Sequence, residues 1–71
     1  MEDIELFVIN AISKFRREKQ LSQKELGIIL HVSASFIGNV ENGNNAAKYN
    51  LKHIALLAAH FKLSPRFFMP L

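Results

Sequence analysis

The sequence predicts an all-α fold of five helices in one compact domain, and three observations carry that expectation. Apolar residues recur at three- and four-residue spacing along the longer segments, and no segment reads as a strand. Residues that start and stop helices fall between those segments at short intervals. The 71 residues are 49% hydrophobic and 21% charged, enough apolar material for one core and too little charge for a disordered chain. A chain of this length closes a single core, so residues 1–71 are read as one domain and a two-domain enzyme is excluded. With no cysteine there is neither a disulfide framework nor a thiolate zinc site, and stability has to come from packing or from a second subunit.

The first helix is expected from about Asp3 to Gln20, with Ile4, Val8, Ala11, Ile12 and Phe15 at helical spacing. Its acids gather at the N-terminal end and Lys14, Arg16, Arg17 and Lys19 toward the C-terminal end, the order the helix macrodipole favours. Ser22-Gln23-Lys24-Glu25 is a capping box, which starts a second helix at Gln23 that carries Leu26 and Leu30 inward and stops near His31. Ser33 then caps a third helix, Ala34 to Asn42, in which Ile37 and Val40 share a face and Gly43 supplies the left-handed end. A polar loop follows, Gly43 to Tyr49. Asn50 caps a fourth helix, Leu51 to Lys62, with Ile54, Leu57, Ala58 and Phe61 facing in. Ser64-Pro65 opens a short fifth helix to about Phe68, because proline suits the first helical position.

The formal net charge is +3, but three of the six acids, Glu2, Asp3 and Glu5, sit in the first five residues. From residue 6 onward nine basic residues face three acidic ones, a balance that favours a polyanionic partner. The longest apolar run, Ile54 to Ala59, is far short of the roughly 20 residues that span a bilayer, and the acidic start is unlike a signal peptide. The expectation is a cytoplasmic protein with no membrane partner.

Leu21-Ser-Gln-Lys-Glu-Leu-Gly27, Val32-Ser-Ala-Ser-Phe-Ile37 and Val40-Glu-Asn-Gly43 together resemble the Cro-type and phage-repressor-type (XRE-like) helix-turn-helix family. The likeness covers about Ile12 to Pro70, with the motif at about residues 22–43. It implies a lambda-repressor-like DNA-binding domain acting as a sequence-specific transcriptional regulator, a repressor by family habit, with helix 34–42 in the major groove. It also implies double-stranded DNA as partner, and a homodimer whose two recognition helices lie about one DNA turn, ~34 Å, apart.

Carried over residue by residue, the resemblance makes Gln23 a phosphate donor at the start of the second helix, helped by that helix's free amides. Asn42, at the end of the third helix, faces a phosphate or serves as a C-terminal cap, and Lys48 and Lys52 flank the next loop within reach of the backbone. Lys24 is a weaker candidate. Ser33, Ala34, Ser35 and Asn39 fall at base-reading positions: Asn pairs with adenine, Ser takes donor or acceptor edges, and Ala meets a thymine methyl. Family members often carry Gln, Arg or Lys there, so more of the recognition falls to phosphate contacts and DNA shape. Arg16 and Glu41 match a pair of family positions that form a partly buried ion pair, which orients the recognition helix and holds Arg16 close to a phosphate. Gly38 departs from the family and costs about 1 kcal/mol of helix stability relative to Ala. His31 stands where the family has a turn glycine, so some backbone strain is expected.

No metal or cofactor is expected. His53 and His60 are two helical turns apart, roughly 10 Å, too far to share one ion. No Ser/His/Asp order, glycine-rich phosphate loop or carboxylate pair points to an enzyme. Ile28 and Ile29 on the outer side of the second helix, with Phe67, Phe68, Met69 and Leu71 at the C-terminus, are more apolar residues than one core needs; a dimer contact or packing on their own domain would use the rest. The competing class is a protein-interaction module that keeps the helix-turn-helix fold without reading DNA.

Overall fold

Four α-helices and one 3-10 turn make up the fold, and no strand occurs among the described residues. The structure is a computed structural model and describes residues 3–43 and 46–70. Helix α1 spans Ile4–Glu18, α2 Gln23–Leu30, α3 Ala34–Asn42 and α4 Leu51–His60, with a 3-10 turn at Pro65–Phe68. Its radius of gyration, 11.2 Å, is close to the ~11 Å that a compact chain of this length should have.

Each helix begins at the side chain that the sequence offers for it. Asp3 accepts from the Leu6 amide, Ser22 and Glu25 close a reciprocal box, and Ser33 accepts from the Phe36 amide. Asn50 accepts from the His53 amide, while His53 Nδ1 accepts from the Asn50 amide at 3.1 Å. Those bonds satisfy amides that the first turn of a helix leaves without partners.

The expected fifth helix is corrected to a single 3-10 turn. Ser64 and Pro65 start it as anticipated, but four residues close only a turn or so, and Met69 has already returned to an extended backbone. Phe68 is fully buried in the core while Phe67 is 59% exposed. Two helix ends also fall short of expectation, α1 at Glu18 and α4 at His60, because Gln20 and Lys62 adopt left-handed backbones that end the helical path.

The core consists of Val8, Ile9, Ile12, Phe15, Leu26, Leu30, Ile37, Val40, Tyr49, Ile54, Leu57, Ala58 and Phe68. Phe15 is its aromatic hub, with edge-on neighbours Phe61 at 5.0 Å, Phe68 at 5.2 Å and Phe67 at 5.8 Å. Ile4, expected on the inward row of α1, is 62% exposed, since the first turn of the helix runs past the edge of the core. Ile9 and Ser13 are buried in its place. Tyr49, expected in a polar loop, is buried against Phe36 and His53 and ties that loop to α3 and α4.

Candidate nucleic-acid interface

Three features fix how α3 is presented. The first is the turn from α2. His31 adopts a left-handed backbone (φ 63°) and the Val32 amide donates to the Gly27 carbonyl at 2.9 Å, reversing the chain within one residue. A glycine is required across from it: a Cβ on Gly27 would sit 2.6 Å from the Val32 carbonyl oxygen. His31 thus takes the left-handed backbone at which strain is expected, and a side chain at Gly27 would force the turn to move.

The second feature is the start of α3, where the Ser33 hydroxyl accepts from the Phe36 amide at 3.0 Å. The third is a polar network at its end. Arg16 donates to Glu41 through Nε at 2.7 Å and through Nη2 at 3.0 Å, a two-pronged pair across 25 residues of sequence. Its remaining terminal nitrogen, Nη1, donates to the Leu21 carbonyl at 2.8 Å, and the Gln23 amide donates to Glu41 Oε1 at 3.2 Å. The side chains of Arg16 and Glu41 are only 14% and 8% exposed. One carboxylate thus joins α1, the start of α2 and the end of α3.

The electrostatics follow from that geometry. The Glu41 hydrogen bond is the main reason the Arg16 guanidinium is held more firmly protonated than usual. Burial pushes the Glu41 carboxyl up, but hydrogen bonds from Arg16 and Gln23 and the charges of Arg16 and Arg17 together hold it below the ordinary carboxylate range. Nearby, burial and then the Glu41 charge push the Tyr49 phenol up, and its hydroxyl has no hydrogen-bond partner among the described residues.

Of the residues singled out in sequence, the structure brings Arg16, Gln23 and Glu41 together. Ser33, Ser35 and Asn39 are exposed on the outer side of α3, with Ala34 and Gly38 half-buried beside them. A Cβ built on Gly38 would make only ordinary contact with the Gln23 side-chain amide, 3.4 Å away at the nearest. Asn42 is exposed at the last position of α3, and Lys48 and Lys52 are exposed outside the Glu41 network. Lys24 is exposed on the first turn of α2. Arg16 is the least available of the proposed phosphate contacts, because three of its nitrogens already donate within the fold.

Ile28 is 67% exposed on α2, as expected of an outward residue, whereas Ile29 and Met69 pack against the core. Leu71 lies outside the described residues. Sequence reasoning missed the Gln23–Glu41 bond and the Leu21 carbonyl that holds Arg16. It also missed the His53 half of the α4 cap; an Asn followed three residues later by a hydrogen-bonding side chain was the available signal. No family model, curated protein or solved structure matches the chain.

Proposed function

We propose that this chain is a sequence-specific DNA-binding regulator of transcription, a repressor of the Cro-type helix-turn-helix kind, that lays α3 in the major groove. The observation that carries the reading is the Glu41 network. A nine-residue helix with exposed Ser35 and Asn39 on its outer side is held at its end to α1 and to the start of α2, as a rigid reading head would have to be. Buried groups of that kind fix orientation more than they add stability.

In this reading the first-turn amides of α2, with Gln23 beside them, meet one phosphate, and Asn42, Lys48 and Lys52 meet others. Ser33, Ser35 and Asn39 address base edges and the Ala34 methyl a thymine. A recognition set this short in long side chains leaves much of the affinity to the backbone, so binding should weaken steeply with salt, by a slope of about 0.9 per phosphate neutralised. A homodimer would read two half-sites about one turn, ~34 Å, apart.

The test is selection from a random pool of short duplexes at two salt concentrations, followed by sequencing. Enrichment of a palindrome, with Gln23→Ala plus Asn42→Ala losing affinity while the fold persists, supports the reading. Absence of retention even at low salt transfers the protein to the interaction-module class, in which exposed Ile28 is a first residue to mutate.

A further inference from the structure

Three aromatic rings from three parts of the fold meet at the start of α4. Phe36 of α3 lies 5.5 Å from the His53 ring and 6.3 Å from that of Tyr49, and Tyr49, in the loop before α4, lies 5.9 Å from His53. Tyr49 and His53 are buried, and the Tyr49 hydroxyl has no hydrogen-bond partner among the described residues, so packing is what holds that ring. Of the three, only His53 changes charge near neutral pH.

The same ring also caps α4. His53 Nδ1 accepts from the Asn50 amide at 3.1 Å while the His53 amide donates to Asn50 Oδ1 at 2.9 Å. An accepting Nδ1 carries no proton, so the neutral ring is the Nε2–H tautomer. A second proton would land on Nδ1 and set donor against donor at the Asn50 amide.

Little in the fold compensates the charge that such a proton brings. It would appear in the first turn of α4, the positive end of the helix dipole, and that turn has no acidic residue. No acid follows Glu41 in the sequence. Lys52 of α4 repels the charge directly, and the loop adds exposed Lys48. From α3 come the Phe36 ring and Glu41, whose carboxylate already holds Arg16 and Gln23. From α1, Glu5 borders the hollow beside Tyr49 and Asn50 but is exposed to water. The α2 helix and the 3-10 turn, also packed on α4, carry Lys24, Glu25 and Arg66, all exposed, with Glu25 bonded in its own cap. Aromatic neighbours attract a cation, but burial, the lost cap, the dipole and Lys52 all act against it.

We propose that His53 is an acid-operated latch on α3: while its ring is neutral the α4 cap and the three-ring cluster are closed, and protonation opens both, loosening the loop that carries Lys48 and the flank of α3 at Phe36. Phe36 lies on the helix that presents Ser35 and Asn39, so what supports its ring also supports that surface. The latch would regulate the proposed DNA contact, and for that consequence the inference rests on the regulator reading. Burial, and then Lys52, hold the ring's protonation below the ordinary histidine value. The latch is therefore closed at neutral pH and opens as the pH falls from about 6.5.

The whole chain, isotope-labelled, is to be followed by NMR from about pH 8 to about pH 5, the range that spans histidine titration. At the upper end the ring nitrogens of His53 should show an unprotonated Nδ1. As His53 takes up its proton, the Phe36 and Tyr49 signals should shift with the same midpoint. The Asn50, His53 and Ile54 amides, all bonded at the cap, should then exchange about fivefold faster relative to those of Leu57 and Ala58, the equilibrium equivalent of one helix cap. His53→Gln, which keeps an acceptor in the box, should fold alike and show none of this. In a low-salt duplex-binding assay the parent should lose about fivefold in affinity relative to His53→Gln across the same range. A protonated Nδ1 at the upper end overturns the inference, as does a His53 titration that Phe36 and Tyr49 do not follow. A parent whose affinity falls no more than the variant's overturns it too and leaves the regulator reading standing. A parent that retains no duplex at either pH, with the spectral changes present, removes that reading and leaves the latch.

Discussion

Replacing Gly27 by alanine sets two effects of opposite sign against each other, and the structure decides which wins. In a helix interior alanine is favoured over glycine by about 1 kcal/mol. Here the new Cβ would lie 2.6 Å from the Val32 carbonyl oxygen and 3.3 Å from the Ser33 carbonyl carbon and oxygen. These are backbone atoms with no rotamer to move into, so the turn itself must retreat by roughly 0.8 Å to reach an ordinary contact, an overpacking cost of about 1–3 kcal/mol. The same retreat stretches the 2.9 Å bond from the Val32 amide to the Gly27 carbonyl, worth about 1 kcal/mol more. The net expectation is a loss of about 1–3 kcal/mol, or roughly 4–20 °C in melting temperature for a domain of this size. Gly38→Ala is the matched control, since its nearest neighbour is the flexible Gln23 amide at 3.4 Å, and it should be neutral or stabilising by up to about 1 kcal/mol. Urea unfolding of the two variants beside the parent measures both. A Gly27→Ala variant as stable as the parent would show that the turn yields freely and that the close approach there is not a constraint.

Glu41→Ala leaves Arg16 and Gln23 without their shared acceptor and should cost about 2–3 kcal/mol, somewhat less than for a fully buried pair, by urea unfolding. Because the Glu41 carboxyl is held below its ordinary value, its contribution is complete above the unfolded carboxylate range and lost as pH falls through the depressed folded value; stability measured against pH should lose that acid limb in Glu41→Gln. Burial, and then Lys52 beside it, hold the His53 imidazole below its usual value, and only the neutral ring can accept from the Asn50 amide. Its contribution is therefore full above about pH 6.5 and declines as pH falls from there, by about 1 kcal/mol if the cap is the main loss; His53→Gln, which keeps an acceptor, should flatten that dependence in thermal melts. Ser33→Asp preserves the α3 cap, so melting should change little, yet it sets a negative charge at a proposed base-reading position and should abolish retention of duplex DNA in a low-salt binding assay.

What was legible in the sequence is what local chemistry dictates. Asp3, Ser22, Ser33, Asn50 and Ser64 each bond an amide within the next three residues, so their helices could be placed without knowledge of the rest of the fold. Gly43 ends α3 in the left-handed region for the same local reason. The errors arise where the outcome depends on distant groups. Ile4 has the spacing of a core residue, but whether the core extends that far depends on how much of the rest of the fold lies over the first turn of α1. Tyr49 reads as loop because its burial is decided by Phe36 and His53, which only the fold brings beside it. The last helix shrank to a turn because four residues beginning with the proline suffice to seat Phe68 under Phe15, after which nothing favours continuing. In the candidate site, the Arg16–Glu41 pair was anticipated only through the family likeness; residues 25 apart carry no local signal that they meet.

The polar bonds at the two ends of α3 acquire their significance from how little apolar contact the helix makes. Over nine residues it buries fully only Ile37 and Val40, and hydrophobic burial is non-directional, so those two side chains hold the helix against the core without choosing its tilt or rotation. Direction has to come from bonds with geometry. At the start they are the Ser33 cap and the turn closed by the Gly27 carbonyl; at the finish, the two-pronged contact of Arg16 with Glu41, itself restrained by the Leu21 carbonyl and Gln23. Each set has an anchor on α1 or α2, the Gly27 carbonyl at one end and Arg16 with Gln23 at the other, and α3 answers with Glu41, so the helix is positioned by residues that do not lie on its outer side. Its outer residues, Ser35 and Asn39, can then vary without disturbing how it is held, which separates what the helix presents from what keeps it in place.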